Sequence, residues 1–127
     1  MADLNQGNRP LSPHLTIYRP QLTSMTSIVT RLTGVSLLLG GLLVVAWFLA
    51  AAISPGKFAL VDGFLTSWFG DLVMTASLWA LWYHALAGAR HLVWDTGRWL
   101  EIEMVERLGW AVIFGSVLLT IFTVVVI

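Results

Sequence analysis

The sequence contains no cysteine and few charged residues. Of its 127 residues, 11% are charged and 57% are hydrophobic, and seven basic side chains balance seven acidic ones. Without cysteine the chain cannot form disulfides or zinc–thiolate sites, or hold an iron–sulfur cluster by thiolates. The balanced charge also argues against a nucleic-acid surface. Soluble domains are about 25% charged, so this composition indicates a protein that sits in a lipid bilayer.

Three long segments carry no charge: residues 32–56, 72–89 and 108–127. A bilayer core about 30 Å thick needs about 20 apolar residues as helix, and lipid offers no hydrogen-bond partners to a non-helical backbone. The sequence therefore predicts an all-α membrane protein that forms a single domain, 1–127. Its predicted parts are a polar cytoplasmic arm and three transmembrane helices, at 1–22 and at about 24–53, 65–94 and 108–127.

Basic residues are distributed unevenly between the two predicted sides. Six arginines precede the first charge-free segment or flank the loop between the second and third helices, whereas Lys57 is the one basic residue on the opposite side. The six are Arg9, Arg19, Arg31, Arg90, Arg98 and Arg107. The positive-inside rule then places the N-terminus in the cytoplasm and the C-terminus in the periplasm. Because the arm resembles neither a cleavable signal peptide nor a transit peptide, we expect a bacterial inner membrane protein.

The segment 54–71 and the tryptophans suggest interfacial features. Pro55, Gly56 and Gly63 predict a loop from about 54 to 71, and its FLTSWFG stretch, residues 64–70, is expected to form an interfacial turn rather than a domain. Several of the seven tryptophans lie near predicted helix ends, which is typical of aromatic belts at the lipid headgroups.

His84 lies inside the second charge-free segment, where an ionisable side chain requires a partner. One interpretation is a neutral histidine hydrogen-bonded to a neighbouring helix. Ala85, Gly88 and Ala89 remove bulk on and beside this face, so a second interpretation is an axial ligand to the iron of a flat haem. His91 lies two turns further on, about 10.5 Å away, too far to bind the same iron but able to meet the edge of the macrocycle.

A second polar cluster lies where the first helix begins. Ser27 and Arg31 are four residues apart and share a helix face. A hydroxyl and a fixed cation at the membrane boundary suit a quinone carbonyl, which gains negative charge on reduction. The nearby hydroxyls of Thr23, Ser24 and Thr26 are explained more simply as helix caps.

The second helix closes with Arg90, His91 and Asp95. One interpretation is an interfacial charge cluster that anchors the helix end, with His91 and Asp95 as an i,i+4 pair. The other is that Arg90 neutralises the propionates of a haem.

Three segments together resemble a known family: RPLSPHLTIYRP from Arg9 to Pro20, SIVTRLTG from Ser27 to Gly34, and HALAGARHLVWDTG from His84 to Gly97. With three helices in this order, the chain resembles the cytochrome b subunit of succinate dehydrogenase, the larger membrane anchor of respiratory complex II. The arm is similar to alpha-proteobacterial and mitochondrial members in particular.

The resemblance implies roles for specific residues. His84 would be an axial ligand of haem b, shared with a smaller three-helix anchor subunit that packs alongside and supplies the second histidine. Ser27 and Arg31 would bind ubiquinone, with Arg31 also near a haem propionate. His91 and Arg90 would lie near the haem edge.

Position 30 and the N-terminal arm also bear on the resemblance. Family members usually carry a histidine directly before the quinone-site arginine, where this chain has Thr30. His14 and Tyr18, in the arm, are expected to contact the iron–sulfur subunit.

The function implied is that of an enzyme subunit. Succinate would be oxidised at a flavin in a flavoprotein subunit, electrons would pass through the iron–sulfur subunit, and ubiquinone would be reduced at the membrane. Two alternatives remain: the anchor of a fumarate reductase working in reverse, and a haem-free structural anchor. A small transporter is disfavoured because no acidic residue lies in the middle of a predicted helix.

Overall fold

The computed structural model describes residues 17–127, and these residues form four α-helices. They are α1 (Leu22–Ile53), α2 (Pro55–Leu65), α3 (Trp68–Asp95) and α4 (Ile102–Val126). By length and composition α1, α3 and α4 can each cross a membrane. The predicted all-α class with three spanning helices is therefore confirmed.

Helix α2 occupies most of the segment 54–71, so the prediction of a loop there is wrong. Its start is well specified: Pro55 takes the first helical position, and the Ser54 hydroxyl accepts a hydrogen bond from the Lys57 amide at 3.3 Å. Proline and glycine often end helices, yet proline at the first helical position favours a helix because its missing N–H is not needed there.

The spanning helices also extend beyond the charge-free segments. Helix α4 begins at Ile102, and its first turns carry an exposed ion pair in which Arg107 Nη2 lies 2.6 Å from Glu103 Oε1. Charge-free length reports the hydrocarbon thickness, whereas a helix continues into the headgroup region as long as its backbone is satisfied. The helices are accordingly longer than the apolar segments within them.

Helix α3 is the centre of the bundle and packs against both α1 and α4. The small core consists of Tyr83, Ala87 and Val112. At the α1–α3 contact Gly40 is buried, and a Cβ atom there would lie 2.9 Å from Ser77 Oγ, so the helices approach closely through a small residue.

Most of the remaining surface of the spanning helices is apolar and uncovered. Within the most apolar stretch of α1, only 11% of residues are buried inside the chain, and the corresponding shares for α3 and α4 are 17% and 22%. Large side chains such as Leu38, Leu39 and Phe122 point outward. This surface requires lipid or partner helices around it.

Candidate functional site

Three contacts fix how α1 and α3 lie side by side. The contacting residues are Gly40 with Ser77, Gly34 with His84, and Thr26 with Arg90. Residue numbers rise along α1 as they fall along α3, so the two helices are antiparallel. The first turns of α1 therefore lie beside the last turns of α3, and the two polar clusters identified on separate helices come to the same end of the bundle.

His84 is half-buried and its imidazole faces α1. Its Nδ1 lies 3.1 Å from the backbone oxygen of Thr30 and 3.4 Å from the Thr33 hydroxyl oxygen. Because a carbonyl oxygen only accepts hydrogen bonds, Nδ1 is assigned the proton and Nε2 keeps its lone pair. Histidines that bind metals commonly donate their other ring N–H to such a carbonyl. The interhelical bond and a metal-ligand role for His84 are thus compatible.

The α3 surface beside His84 is open. Ala85 and Gly88 are exposed, and a Cβ atom added at Gly88 would meet nothing within 4 Å. On its other side the imidazole lies against the backbone of α1 at Gly34, where an added Cβ would sit 3.0 Å from His84 Cε1. In the sequence Gly34 stands out only as the last residue of the SIVTRLTG motif. No local pattern reveals this contact, because it depends on how two distant helices pack.

Ser27 and Arg31 are both exposed on α1. The neighbouring hydroxyls have structural partners: Ser24 forms a capping box with Gln21, and Thr26 donates to a backbone oxygen within the helix. Ser27 and Arg31 share a face with Gly34, because these residues are separated by steps of four and three positions. Ser27, Arg31 and Gly34, which the His84 imidazole contacts, therefore follow one another along one stripe of α1.

Arg90 does not join this stripe. Its side chain is only 5% exposed, its Nη1 donates to the Thr26 hydroxyl at 3.5 Å, and its Cζ lies 4.7 Å above the Trp94 ring. Within residues 17–127 its Nε finds no hydrogen-bond partner. The guanidinium thus points into the bundle, away from the face that carries His84.

His91 follows His84 by two turns and lies on nearly the same face of α3. It is exposed, and its Nδ1 lies 2.7 Å from the backbone oxygen of Ala87. Its proton is assigned to Nδ1 by the same reasoning, which leaves Nε2 free. Of the residues that close α3, His91 is therefore the one placed on the open side.

Tyr18, which precedes α1, and Thr30, within α1, are the remaining candidates that the structure describes. The half-exposed Tyr18 donates its hydroxyl to Ser24 Oγ at 2.7 Å, and the Thr30 hydroxyl bonds the Thr26 backbone oxygen at 2.8 Å. His14 lies outside the described residues. Among residues 17–127 no group of three or more histidine, cysteine or acidic side chains is placed to hold a metal ion, so a metal at His84 would draw its other protein ligand from elsewhere.

The chain is similar over nearly its whole length to known membrane subunits of one family. Residues 5–123 match the family model for the succinate dehydrogenase/fumarate reductase transmembrane subunit. The chain is 52% identical over 126 residues to the succinate dehydrogenase cytochrome b556 subunit of Paracoccus denitrificans, covering 99% of this chain and 97% of the relative. It is 39% identical to the corresponding subunit of Rickettsia conorii, covering 89% and 88%.

A plant relative shows the same similarity. The succinate dehydrogenase cytochrome b560 subunit of Marchantia polymorpha is 37% identical over 123 residues, covering 93% of this chain and 90% of the relative. The three spanning helices, the length of the match and these identities lead to one conclusion: the chain belongs to the family of succinate dehydrogenase/fumarate reductase transmembrane subunits, and it acts in an enzyme as one subunit of a complex.

Proposed function

We propose that the chain is the haem b-binding membrane anchor of a succinate:ubiquinone oxidoreductase and forms part of its ubiquinone-reduction site. The observation that carries this proposal is the state of His84, whose Nδ1 is engaged by the Thr30 carbonyl while Nε2 stays available beside an uncovered helix face. The relatives named cytochrome b support a haem in this family.

The residues around His84 fit a haem. An axial imidazole must present an unprotonated nitrogen, and the bond to Thr30 favours that tautomer. Exposed Ala85 and Gly88 leave room beside the ring for a flat macrocycle. His91 is two turns away, so we propose that the second axial histidine comes from the smaller anchor subunit. When bound, haem b supplies a carrier for single electrons.

Ser27 and Arg31 are proposed to bind the ubiquinone head. Reduction places negative charge on the quinone carbonyl oxygens, and that charge is stabilised by donors already in position. The exposed Ser27 hydroxyl can donate a hydrogen bond to one carbonyl oxygen, and the exposed Arg31 guanidinium supplies a fixed positive charge one turn further along α1. Arg31 and His91 are also proposed to face the haem propionates. Arg90, the third candidate for that role, is buried and points into the bundle.

The proposed assembly follows from the surface that the chain leaves uncovered. Its outward apolar side chains would pack against lipid and a smaller three-helix anchor subunit. The N-terminal side, with six of seven basic residues, would face the cytoplasm of a bacterium, and the C-terminus would face the periplasm. The arm, including His14 and Tyr18, would contact the iron–sulfur subunit, which receives electrons from the succinate-oxidising flavoprotein.

The test is a pair of histidine variants in the whole complex. His84→Ala should abolish the b-type band in the dithionite-reduced minus oxidised spectrum, while the chain remains in the membrane with its partners. His91→Ala is the matched control and should retain a bound haem, because residue 91 lies two helical turns, a rise of about 10.5 Å, from the proposed ligand. An unaltered spectrum in the His84→Ala complex would disprove the ligand assignment and leave a haem-free anchor as the better description.

A further inference from the structure

The imidazole of His84 rests directly on the α1 backbone at Gly34. A Cβ atom at Gly34 would lie 3.0 Å from Cε1, 3.5 Å from Nδ1 and 3.8 Å from Nε2 of that ring. Carbon atoms in favourable contact are about 3.5 to 4.0 Å apart, so any side chain at position 34 would press on the ring. The neighbouring atoms belong to one rigid aromatic ring, which can respond only by moving as a whole.

The ring is also held from a second direction. Nδ1 lies 3.1 Å from the Thr30 oxygen, one helical turn before Gly34 on the same stripe of α1. The buried Thr33 hydroxyl lies 3.4 Å from Nδ1, and its one proton is shared between the backbone oxygens of Val29 at 2.9 Å and Thr30 at 3.0 Å. A shift away from Gly34 would therefore stretch or break the bond that fixes the tautomer of His84.

The two other glycines of α1, Gly40 and Gly41, lack this relationship to a functional side chain. At Gly40 the nearest atoms belong to Ser77, and that contact serves helix packing. At Gly41, on the same helix, an added Cβ would meet nothing within 4 Å. The close approach to an imidazole is thus a property of position 34 and not of glycines on α1 in general.

We propose that Gly34 is a positioning residue for the axial histidine, and that with the Thr30 carbonyl and the Thr33 hydroxyl it forms a seat that sets the direction of the His84 Nε2 lone pair. This inference rests on the proposed role of His84 as a haem ligand. The seat acts through the imidazole and does not touch the iron. It places control of the haem ligand on α1, the helix that also carries the proposed quinone residues.

The seat has two separable effects. A methyl group at position 34 tilts the imidazole and weakens both its bond to Thr30 and its alignment toward the iron. Loss of the Thr33 hydroxyl removes a donor that the Val29 and Thr30 oxygens share, so the Thr30 oxygen becomes a stronger acceptor for Nδ1 and Nε2 becomes more basic. A more basic axial ligand stabilises ferric haem and lowers its reduction potential.

The experiment compares Gly34→Ala, Gly41→Ala and His84→Ala in purified complex. Changes next to a metal ligand typically weaken metal binding 10- to 100-fold, so we expect Gly34→Ala to bind haem about tenfold more weakly and to alter the low-spin ferric signal in electron paramagnetic resonance. Gly41→Ala makes the same chemical change on the same helix and should match the unmodified complex.

The outcomes separate this inference from the proposed function. If His84→Ala loses the haem but Gly34→Ala keeps normal affinity, signal and potential, the seat is wrong while the ligand assignment stands. If His84→Ala retains the haem, the proposed function itself fails.

A further variant covers the case in which Gly34→Ala prevents assembly of the complex. Thr33→Val preserves the shape of the side chain, and the seat predicts a retained haem with a lowered midpoint potential. An unchanged or raised potential in that variant would overturn the proposal.

Discussion

Two clusters of polar residues lie on opposite sides of the contact between α1 and α3, and residues that are adjacent in the sequence belong to different clusters. The closed cluster consists of Thr26, Tyr83 and Arg90, and each of these residues is at most 5% exposed. The open cluster consists of Ser27, Arg31 and His84, which are exposed or half-buried. Each helical residue is rotated by about 100° from the one before, so the side chains of adjacent residues such as Tyr83 and His84 lie on different sides of the contact between α1 and α3.

The clusters differ in how their polar atoms are satisfied. In the closed cluster the Tyr83 hydroxyl donates to the Thr26 backbone oxygen at 3.2 Å, and Arg90 reaches the Thr26 hydroxyl and the Trp94 ring. In the open cluster, Ser27 and Arg31 point outward and Nε2 of His84 remains available. Unpaired polar groups are costly in an apolar medium, so these polar atoms require partners other than residues 17–127. That need is the physical basis for placing a cofactor and a substrate there.

The largest predicted effect is at Arg31 in the open cluster. Removing one donor that stabilises developing charge typically costs on the order of 100-fold in rate, so Arg31→Leu should lower succinate:ubiquinone activity by about that factor. Succinate oxidation with an artificial dye should be nearly unchanged, because the dye accepts electrons before the membrane site. Arg98→Leu, an exposed arginine beyond the end of α3, is the matched control. Equal losses in both assays would show that Arg31 instead holds the complex together.

A smaller effect is expected from exchanging the hydroxyls of two adjacent residues. Ser27→Ala should lower kcat/KM for ubiquinone about tenfold, since a hydrogen bond to a charged group contributes about 1.5 to 3 kcal/mol. Thr26→Val, one residue earlier and buried, should leave kcat/KM nearly unchanged while lowering thermal stability. Steady-state kinetics would measure kcat/KM and a thermal melt would measure stability for both complexes. A lower kcat/KM in Thr26→Val but not in Ser27→Ala would mean that the two residues are assigned to the wrong clusters.

In the closed cluster Tyr83→Phe should affect stability alone. The variant keeps the buried ring and loses the interhelical hydrogen bond to Thr26. Such bonds in membranes contribute about 0.6 kcal/mol on average and up to about 1.7 kcal/mol, and we expect a value above the average because Tyr83 and Thr26 are both buried. We expect a modest fall in the denaturation midpoint of the complex, with haem content and quinone kinetics as in the unmodified protein. A change in the haem spectrum without loss of stability would contradict the structural role of this cluster.

The smallest predicted effect concerns the contact between α3 and α4, away from both clusters. Trp82 Nε1 donates to the Thr123 hydroxyl at 3.1 Å, and interhelical hydrogen bonds in membranes contribute about 0.6 kcal/mol. Trp82→Phe should therefore shift the denaturation midpoint less than Tyr83→Phe does. A larger shift for Trp82→Phe would indicate that the α3–α4 contact, and not the α1–α3 contact, dominates stability.

Much of this arrangement can be predicted from the sequence. Charge-free segments identify the three spanning helices because the hydrocarbon thickness sets their length. Ser27, Arg31 and His84 stand out because hydrocarbon penalises polar groups that lack partners. Both signals are local, and they depend on composition and spacing along one helix.

The rest depends on how α1 and α3 are rotated against each other, which local patterns do not report. Their positions in the sequence group Arg90 with His91 at one helix end, but in the structure Arg90 points into the bundle and His91 is exposed. The contact between Gly34 and His84 joins residues 50 positions apart (84 − 34). Helix α2 was missed because its start depends on a cap between Ser54 and Lys57.

The most direct test of the account is a dithionite-reduced minus oxidised visible spectrum of the unmodified complex, purified through this chain with its partner subunits attached. The account predicts a sharp b-type band that corresponds to one haem per copy of the chain, because the open cluster offers one imidazole nitrogen in a position to bind iron. Absence of the band from a complex that retains all its partners would contradict the central claim, and His84 would then be a packing residue between α1 and α3.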